Sequence, residues 1–360
     1  MTKPSQELLR SISDEHVLRS LMSARKLTRA ELAVETGLSK PTVSESVRRL
    51  VESGLVADTG ERTPGGRGKG RVGSFYSLTE DVGVALVVTI APDGVTAECV
   101  DAYGDVVERV HRPISSPSEV AAVLPSVVAE TVAAHHVQLC TVSAADPVDR
   151  LTGRLVQLPD SPFLVGELDP VDVLGPLLNG PVVVDNDVNW AAQAEHAALD
   201  VEDFAYLFLG EGLGCAVVLD GEVRRGHSGL AGEISHVITA GPSGAMPFIE
   251  VFGELGLRQK GTTAIDVDRL RDADPVVLAR AVSGVVTALV TLTDPEVVVV
   301  GGSWGPSLLD EITAECARSP RQVPIRAASV AEPSLTGARA AALGRLRTTL
   351  VSRAGSRTPR

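Results

Sequence analysis

The sequence predicts an α/β protein in two parts, a winged helix-turn-helix over residues 1–80 and a two-lobed α/β body over residues 81–351. Three observations carry this expectation. Apolar residues between 13 and 51 keep helical spacing around one glycine turn, and residues 60–74 hold six glycines among basic side chains. Beyond residue 80 one order of strand and turn signals repeats after about 120 residues.

Val17, Leu18, Leu21 and Met22 share one face of a first helix that ends near Ala24. Thr28 and Glu31 then stand at the spacing of a capping box, in which a hydroxyl and a carboxylate each satisfy a backbone N–H. The helix they open must end at Thr36-Gly37, because glycine takes a left-handed turn at least steric cost. Leu38 can pack beneath that turn, and Ser39-Lys40-Pro41 starts a third helix with proline where a missing N–H matters least. Val43, Val47, Leu50 and Val51 form its inner face. Lys40, Thr42, Ser44, Arg48 and Arg49 remain for bases and phosphates, as in a helix-turn-helix whose second helix enters the major groove.

The wing follows. Val56 begins a strand, Phe75-Tyr76-Ser77-Leu78 returns, and the segment between them carries Arg62, Arg67, Lys69 and Arg71 with no acidic residue from 62 to 71. Arg67, Lys69 and Arg71 are expected to neutralise phosphate or reach the minor groove. Charge divides the same way. Residues 1–80 carry 13 Lys and Arg against 10 Asp and Glu, whereas residues 81–360 carry 20 against 36. A weakly basic head on an acidic body fits a duplex-reading module attached to a sensing or catalytic unit.

In the body, Val84–Ile90, Val95–Val100 and Val106-Val107 are strand candidates before a helical stretch from Ser118 to Ala134. Tyr206–Gly210, Gly214–Leu219 and Glu222-Val223, with Asp220-Gly221 as a hairpin turn, repeat that order. Ala338–Leu350 forms a closing helix, and residues 352–360, with three arginines, form a disordered tail. Aromatic residues make up only 3%, which argues against a stacking platform for single strands. Cys99, Cys140, Cys215 and Cys316 are widely spaced, which argues against a disulfide framework or a cysteine-rich metal site. The N-terminus lacks an apolar signal core, and the apolar stretch from Val282 to Leu292 stops at Asp294-Pro295-Glu296 before it could span a bilayer. The expected location is the cytoplasm, without membrane contact.

Three segments in order, Val184-Asp185-Asn186-Asp187-Val188-Asn189, Leu207-Phe208-Leu209-Gly210-Glu211-Gly212-Leu213-Gly214 and Arg225-Gly226-His227-Ser228-Gly229-Leu230-Ala231-Gly232-Glu233-Ile234-Ser235-His236, resemble the ROK family. Val297–Gly302 resembles its late strand and glycine turn. That family joins sugar kinases and sugar-responsive repressors on one actin-like, hexokinase-like (ribonuclease H-like) fold. The resemblance implies that Asn186, Asp187, Glu233 and His236 bind a sugar. A hexose presents adjacent hydroxyls that both donate and accept, so paired carboxylate and amide groups suit it.

The departures from the family pattern matter as much. The kinase branch holds phosphate with an Asp-x-Gly-Gly-Thr turn, here Thr89-Ile90-Ala91-Pro92-Asp93. Pro92 removes a backbone N–H, and Asp93 adds a charge that opposes phosphate. In the second phosphate loop Gly-Thr-Gly becomes Gly210-Glu211-Gly212. The family's zinc run is also lost: Gly241, Ser243 and Phe248 take the cysteine places, so His236 alone cannot complete a tetrahedral site. No cofactor and no metal are therefore expected. The sequence is thus that of a non-enzymatic DNA-binding regulator, a repressor of sugar-related genes. Its partners would be a double-stranded DNA operator, a sugar or sugar-phosphate effector and further copies of itself as a homodimer or homotetramer. The rival readings are a sugar kinase with a DNA-binding head and a regulator that acts without ligand.

Overall fold

The computed structural model describes residues 6–64, 72–159 and 162–356; Arg67, Lys69 and Arg71 lie outside the described residues. The head contains α1 (Gln6–Ala24), β1 (Lys26–Thr28), α2 (Arg29–Thr36), α3 (Lys40–Glu52), β2 (Val56–Arg62) and β3 (Ser74–Leu78). The capping box forms at both ends, Thr28 N–H donating to Glu31 at 2.8 Å and Glu31 N–H to the Thr28 hydroxyl at 3.2 Å. Gly37 takes φ +68° between α2 and α3. Val43, Val47 and Leu50 are buried, but Val51 is exposed, on the far side of the last turn. β1 is too short to show in a hydrophobic pattern. It nonetheless completes a sheet of order β1-β3-β2, making the wing a three-stranded unit.

The body comprises two lobes of one design. In the first, β4 (Val84–Ala91), β5 (Gly94–Val100) and β6 (Val106–Pro113) form an antiparallel meander. α4 (Val120–Val132), β7 (Val137–Ala144), α5 (Pro170–Leu174) and β8 (Val182–Asn186) follow. Sheet order is β6-β5-β4-β7-β8, with β4, β7 and β8 parallel. α6 (Asp187–Ala198) crosses to the second lobe. There β9 (Phe204–Leu209), β10 (Leu213–Leu219) and β11 (Glu222–Val223) repeat the meander.

After the hairpin β12 (Ile238–Gly241) and β13 (Gly244–Pro247) come α7 (Phe248–Glu254), α8 (Val267–Leu270), α9 (Pro275–Thr293), β14 (Val297–Gly301), α10 (Leu309–Cys316) and β15 (Ile325–Ala327). The second sheet, β11-β10-β9-β14-β15, has the same pattern of antiparallel and parallel neighbours as the first. The repeat legible in the sequence is this duplication.

α9 is a continuous apolar helix of 19 residues, long enough by length and composition to cross a membrane. The apolar stretch therefore begins earlier than the run from Val282 suggested. Its inner face, Leu278, Val282, Val285, Val286 and Leu289, is packed into the core of the second lobe.

α11 (Pro333–Ser356) ties the parts together. Leu335, Ala338, Ala342, Leu346 and Leu350 repeat every three or four residues, and all belong to one hydrophobic cluster with the head, β4, β5, β7 and Trp190 of α6. The helix is longer at both ends than the sequence suggested. It continues through residues 352–356, where a disordered tail was expected, because Ala354 still packs against that cluster. Residues 357–360 lie outside the described residues.

Candidate functional site

Between the lobes, where β8 ends and α6 begins, lies a cleft lined by Asn186, Asp187, Gly214, Cys215, Glu233 and Ser235. The chain makes this corner through Asn186, which caps α6: its side-chain oxygen accepts from Val188 N–H at 2.9 Å and its amide donates to the Asp146 carbonyl at 3.1 Å. Because Asn186 takes the cap, Asp187 in the first turn has a carboxylate available to the cleft. The same amide reaches the Ala144 carbonyl at 3.5 Å, so Asn186 holds the corner of the cleft that it also lines.

Glu233 arrives from the other lobe. Gly232 has φ +99°, and a Cβ there would meet the Cys215 carbonyl at 1.8 Å. Only glycine lets this loop lie against β10, where Cys215 N–H donates to the Gly232 carbonyl at 3.0 Å. Glu233 is thereby fixed opposite Asp187. His236 is not. It is exposed and does not line the cleft, unlike the position that the family resemblance implies for it. Glu233 has non-helical backbone (φ −74°, ψ +86°), and the 3-10 turn begins only at Ile234. The helical phase that would align positions three apart is absent.

Asp146 is a member of the site that the sequence reading missed. It is fully buried behind the cleft, accepting from Leu164 N–H at 2.6 Å and Val165 N–H at 2.9 Å. Burial raises its carboxyl to about 6 against the lowering effect of these backbone donors. Burial also lifts Asp187 to about 7, helped by repulsion from Asp146. Glu233 rises to about 7, first by burial and then by repulsion from Asp187 and Asp146. Three carboxyl groups, Asp146 raising Asp187 and both raising Glu233, form an acceptor-rich pocket. The only hint of Asp146 in the sequence is an acidic residue just past a buried strand, a common pattern. Beside the pocket, Arg225 of the second lobe donates to Asp185 at the end of β8 at 2.6 Å, while Asn189 donates to the same carboxylate at 2.7 Å. This pair bridges the lobes.

On the head, Lys40 and Arg48 are exposed, and Thr42 and Ser44 are half-buried, on the outer side of α3. Arg48 is engaged within its own helix by Glu45 at 2.5 Å and by Glu52. Arg49 departs from the expected outward role. It turns inward and donates through Nε and Nη2 to buried Asp14 of α1 at 3.0 and 2.6 Å, with Ser46 also donating to Asp14. Arg49 therefore fixes the tilt of α3 on α1.

The residues at the zinc-loop positions do not form a ligand set. Gly241 and Ser243 lie in and beside the β12–β13 turn, and Phe248 is buried in the core of the second lobe. Nucleotide phosphates fit poorly as well. The turn from β4 to β5 presents Pro92 and Asp93, and the turn from β9 to β10 presents Glu211, with Gly210 N–H already donating to the Gly212 carbonyl at 3.0 Å.

A duplicated two-lobed body of sugar-kinase type, joined to a winged helix, defines the class of this protein. Residues 88–250 match the model of the ROK family, and residues 10–57 match that of winged helix-turn-helix DNA-binding domains. The chain thus carries a ROK family domain behind an N-terminal winged helix. Among its relatives is the xylose repressor of Bacillus subtilis, 22% identical over 64% of this chain and 62% of that protein. The transcriptional dual regulator NagC of Escherichia coli is 23% identical over 64% and 58%. The chain thus spans less than two thirds of the length of these relatives. Among solved structures, a ROK family transcriptional regulator, a homologue of the E. coli MLC protein, covers 95% of this chain and 99% of its own at 19% identity with a TM-score of 0.62. A ROK glucokinase of Streptomyces griseus, in complex with glucose and AMPPNP, covers 72% and 99% at 22% identity with a TM-score of 0.54.

Proposed function

We propose that this protein is a cytoplasmic DNA-binding repressor of sugar-related genes that binds a palindromic operator as a homodimer and answers to a sugar in the interlobe cleft. The observation that carries the reading is the path of α11. One helix packs against α6, which begins at Asp187 in the cleft, and against α1 of the winged helix. Closing the lobes on a ligand would tilt α11 and with it the head. In a dimer this changes the spacing of two recognition helices, a spacing that an operator of fixed half-sites requires. The repressors among the relatives support this reading, and the kinases among them supply the rival. Against a phosphoryl-transfer role stand Pro92, Asp93 and Glu211 at the two phosphate turns.

The test is operator binding by fluorescence anisotropy, with and without a panel of free sugars, beside a coupled assay for sugar phosphorylation with ATP and magnesium. Sugar-dependent release without turnover supports the regulator. Turnover that is lost in Asp187→Asn supports the kinase. Replacing Arg67, Lys69 and Arg71 together by Ala is expected to weaken binding to every duplex and flatten its salt dependence, as loss of phosphate contacts would.

A further inference from the structure

The sugar cleft does not end at Asp187. It continues past Leu164, Phe208 and Gly212 into a second, wider cleft that is bordered by Asp93 and Glu211. A sugar ester seated at Asp187 would extend its phosphate toward this space or remain beside Asp146 and Glu233. Neither place suits an anion. Asp93 projects from the exposed β4–β5 turn, where Pro92 has no N–H to offer. On the opposite turn the Gly210 N–H is bonded internally, and the Glu211 carbonyl accepts from Ile265 N–H at 2.9 Å. Each turn thus borders the cleft with a carboxylate-bearing residue, Asp93 on one side and Glu211 on the other. A cleft bordered by one sign of charge between low-dielectric walls focuses that field on whatever enters.

We infer that Asp93 and Glu211 form an anion-rejecting rim that restricts the effector to an unphosphorylated sugar. The inference rests on the reading of the cleft as a sugar site. It turns the loss of two phosphate turns into a gain of discrimination: the residues that oppose ATP also oppose a sugar phosphate. A neutral sugar meets only the hydrogen-bonding capacity of Asp187 and Glu233. An ester carries close to two negative charges into a site that already holds several.

The experiment is titration calorimetry on the full-length protein with matched pairs of aldopentoses and aldohexoses and their terminal phosphate esters, glucose and glucose 6-phosphate among them, at 20 and 200 mM salt. The free member of the binding pair is expected to bind at least tenfold more tightly, with a wider gap at low salt. In the double variant Asp93→Asn, Glu211→Gln that gap should narrow several-fold. Equal or tighter binding of the ester to the wild type would overturn the rim while leaving the cleft a sugar site. An unchanged gap in the folded double variant would overturn it too, since the discrimination would then lie elsewhere. Binding of neither member of any pair would overturn the sugar reading itself.

Discussion

Gly337 of α11 lies against the backbone carbonyl of Trp190 in α6, so close that a Cβ on Gly337 would stand 1.9 Å from that oxygen. The Trp190 indole in turn donates to the Val142 carbonyl of β7 at 3.1 Å, anchoring the helix crossing to the first sheet. α6 and α11 therefore meet backbone to backbone, three residues from Asp187. Gly337→Ala is expected to force the helices apart and cost about 1–3 kcal/mol, the usual penalty of overpacking. Gly344, two turns further along α11, has nothing within 4 Å of its would-be Cβ. Gly344→Ala should be neutral or slightly stabilising, so urea unfolding of the two variants separates a steric contact from helix propensity.

Arg347 is the polar counterpart of that crossing. It donates to the carbonyls of Ala102 at 2.9 Å, Tyr103 at 3.4 Å and Met22 at 3.4 Å, so one side chain joins α11 to the β5–β6 turn and to the end of α1. Tyr103 adds to the joint by accepting from Leu78 N–H and donating to the Arg25 carbonyl. Arg347→Met keeps most of the apolar stem and removes the donors. Sugar affinity should stay unchanged, while the drop in operator affinity on adding sugar should shrink several-fold. A full response in anisotropy titrations of Arg347→Met would show that the signal reaches the head by another route.

Much of this was legible in the sequence, for identifiable reasons. The capping box at Thr28 and Glu31, the glycine turn at Gly37 and the 120-residue repeat are local signals, and local physics decides them. The roles of Asn186 and Arg49 are decided by groups far away in the chain, and that of His236 by a backbone conformation its spacing does not show. Asn186 bonds Asp146, Arg49 bonds Asp14, and His236 is turned out by the non-helical backbone of Glu233. Asp146 escaped notice because its importance comes from burial beside carboxylates 41 and 87 positions later, which no local pattern records.

Arg49 and Asp14 lead to a prediction for the head. Removing one partner of a buried charge pair leaves the other uncompensated, which typically costs about 3–5 kcal/mol. Arg49→Ala should therefore lower the thermal stability of the winged helix and weaken binding to all duplexes alike, without relaxing preference at one base. Glu45→Gln should act oppositely. It releases Arg48 from one of its two carboxylates and removes an exposed negative charge from the groove-facing helix, so operator affinity should rise. A loss of base preference in Arg49→Ala with unchanged stability would place that side chain in the groove after all.

In the cleft, Asp187→Ala and Glu233→Ala should each weaken sugar binding by one to two orders of magnitude, since a buried hydroxyl without its partner costs about 1–3 kcal/mol. Operator affinity without sugar should change little, because neither residue touches the head. His236→Ala should leave sugar affinity within about twofold of the wild type, in keeping with its exposed position outside the cleft lining. Calorimetric titration of the three variants checks the order. A large loss in His236→Ala would mean that ligand binding draws the 3-10 turn inward.

The same carboxylates make both stability and binding depend on pH, in opposite directions. In the folded protein Asp146 titrates at about 6 and Asp187 and Glu233 at about 7, above the values near 4 that these groups have in an unfolded chain. Between about pH 4 and pH 7 the folded state thus holds protons that the unfolded chain has released. Stability falls as pH rises wherever the folded state binds more protons, so the ligand-free protein should lose stability across this window. The neighbouring Cys215 thiol, raised by burial to about 12, stays neutral throughout and does not contribute. A sugar reverses the balance inside the pocket. Its hydroxyls donate to ionised carboxylates and so favour the charged forms. Affinity should therefore climb as pH rises from about 5.5 to 7.5, with protons released on binding. Calorimetry in two buffers of different ionisation heat measures that release directly. Asp187→Asn should reduce the release, because the amide has no proton to give up. If affinity instead rises as pH falls, the carboxylic acids act as donors to the sugar, and the acceptor role assigned to Asp187 and Glu233 fails.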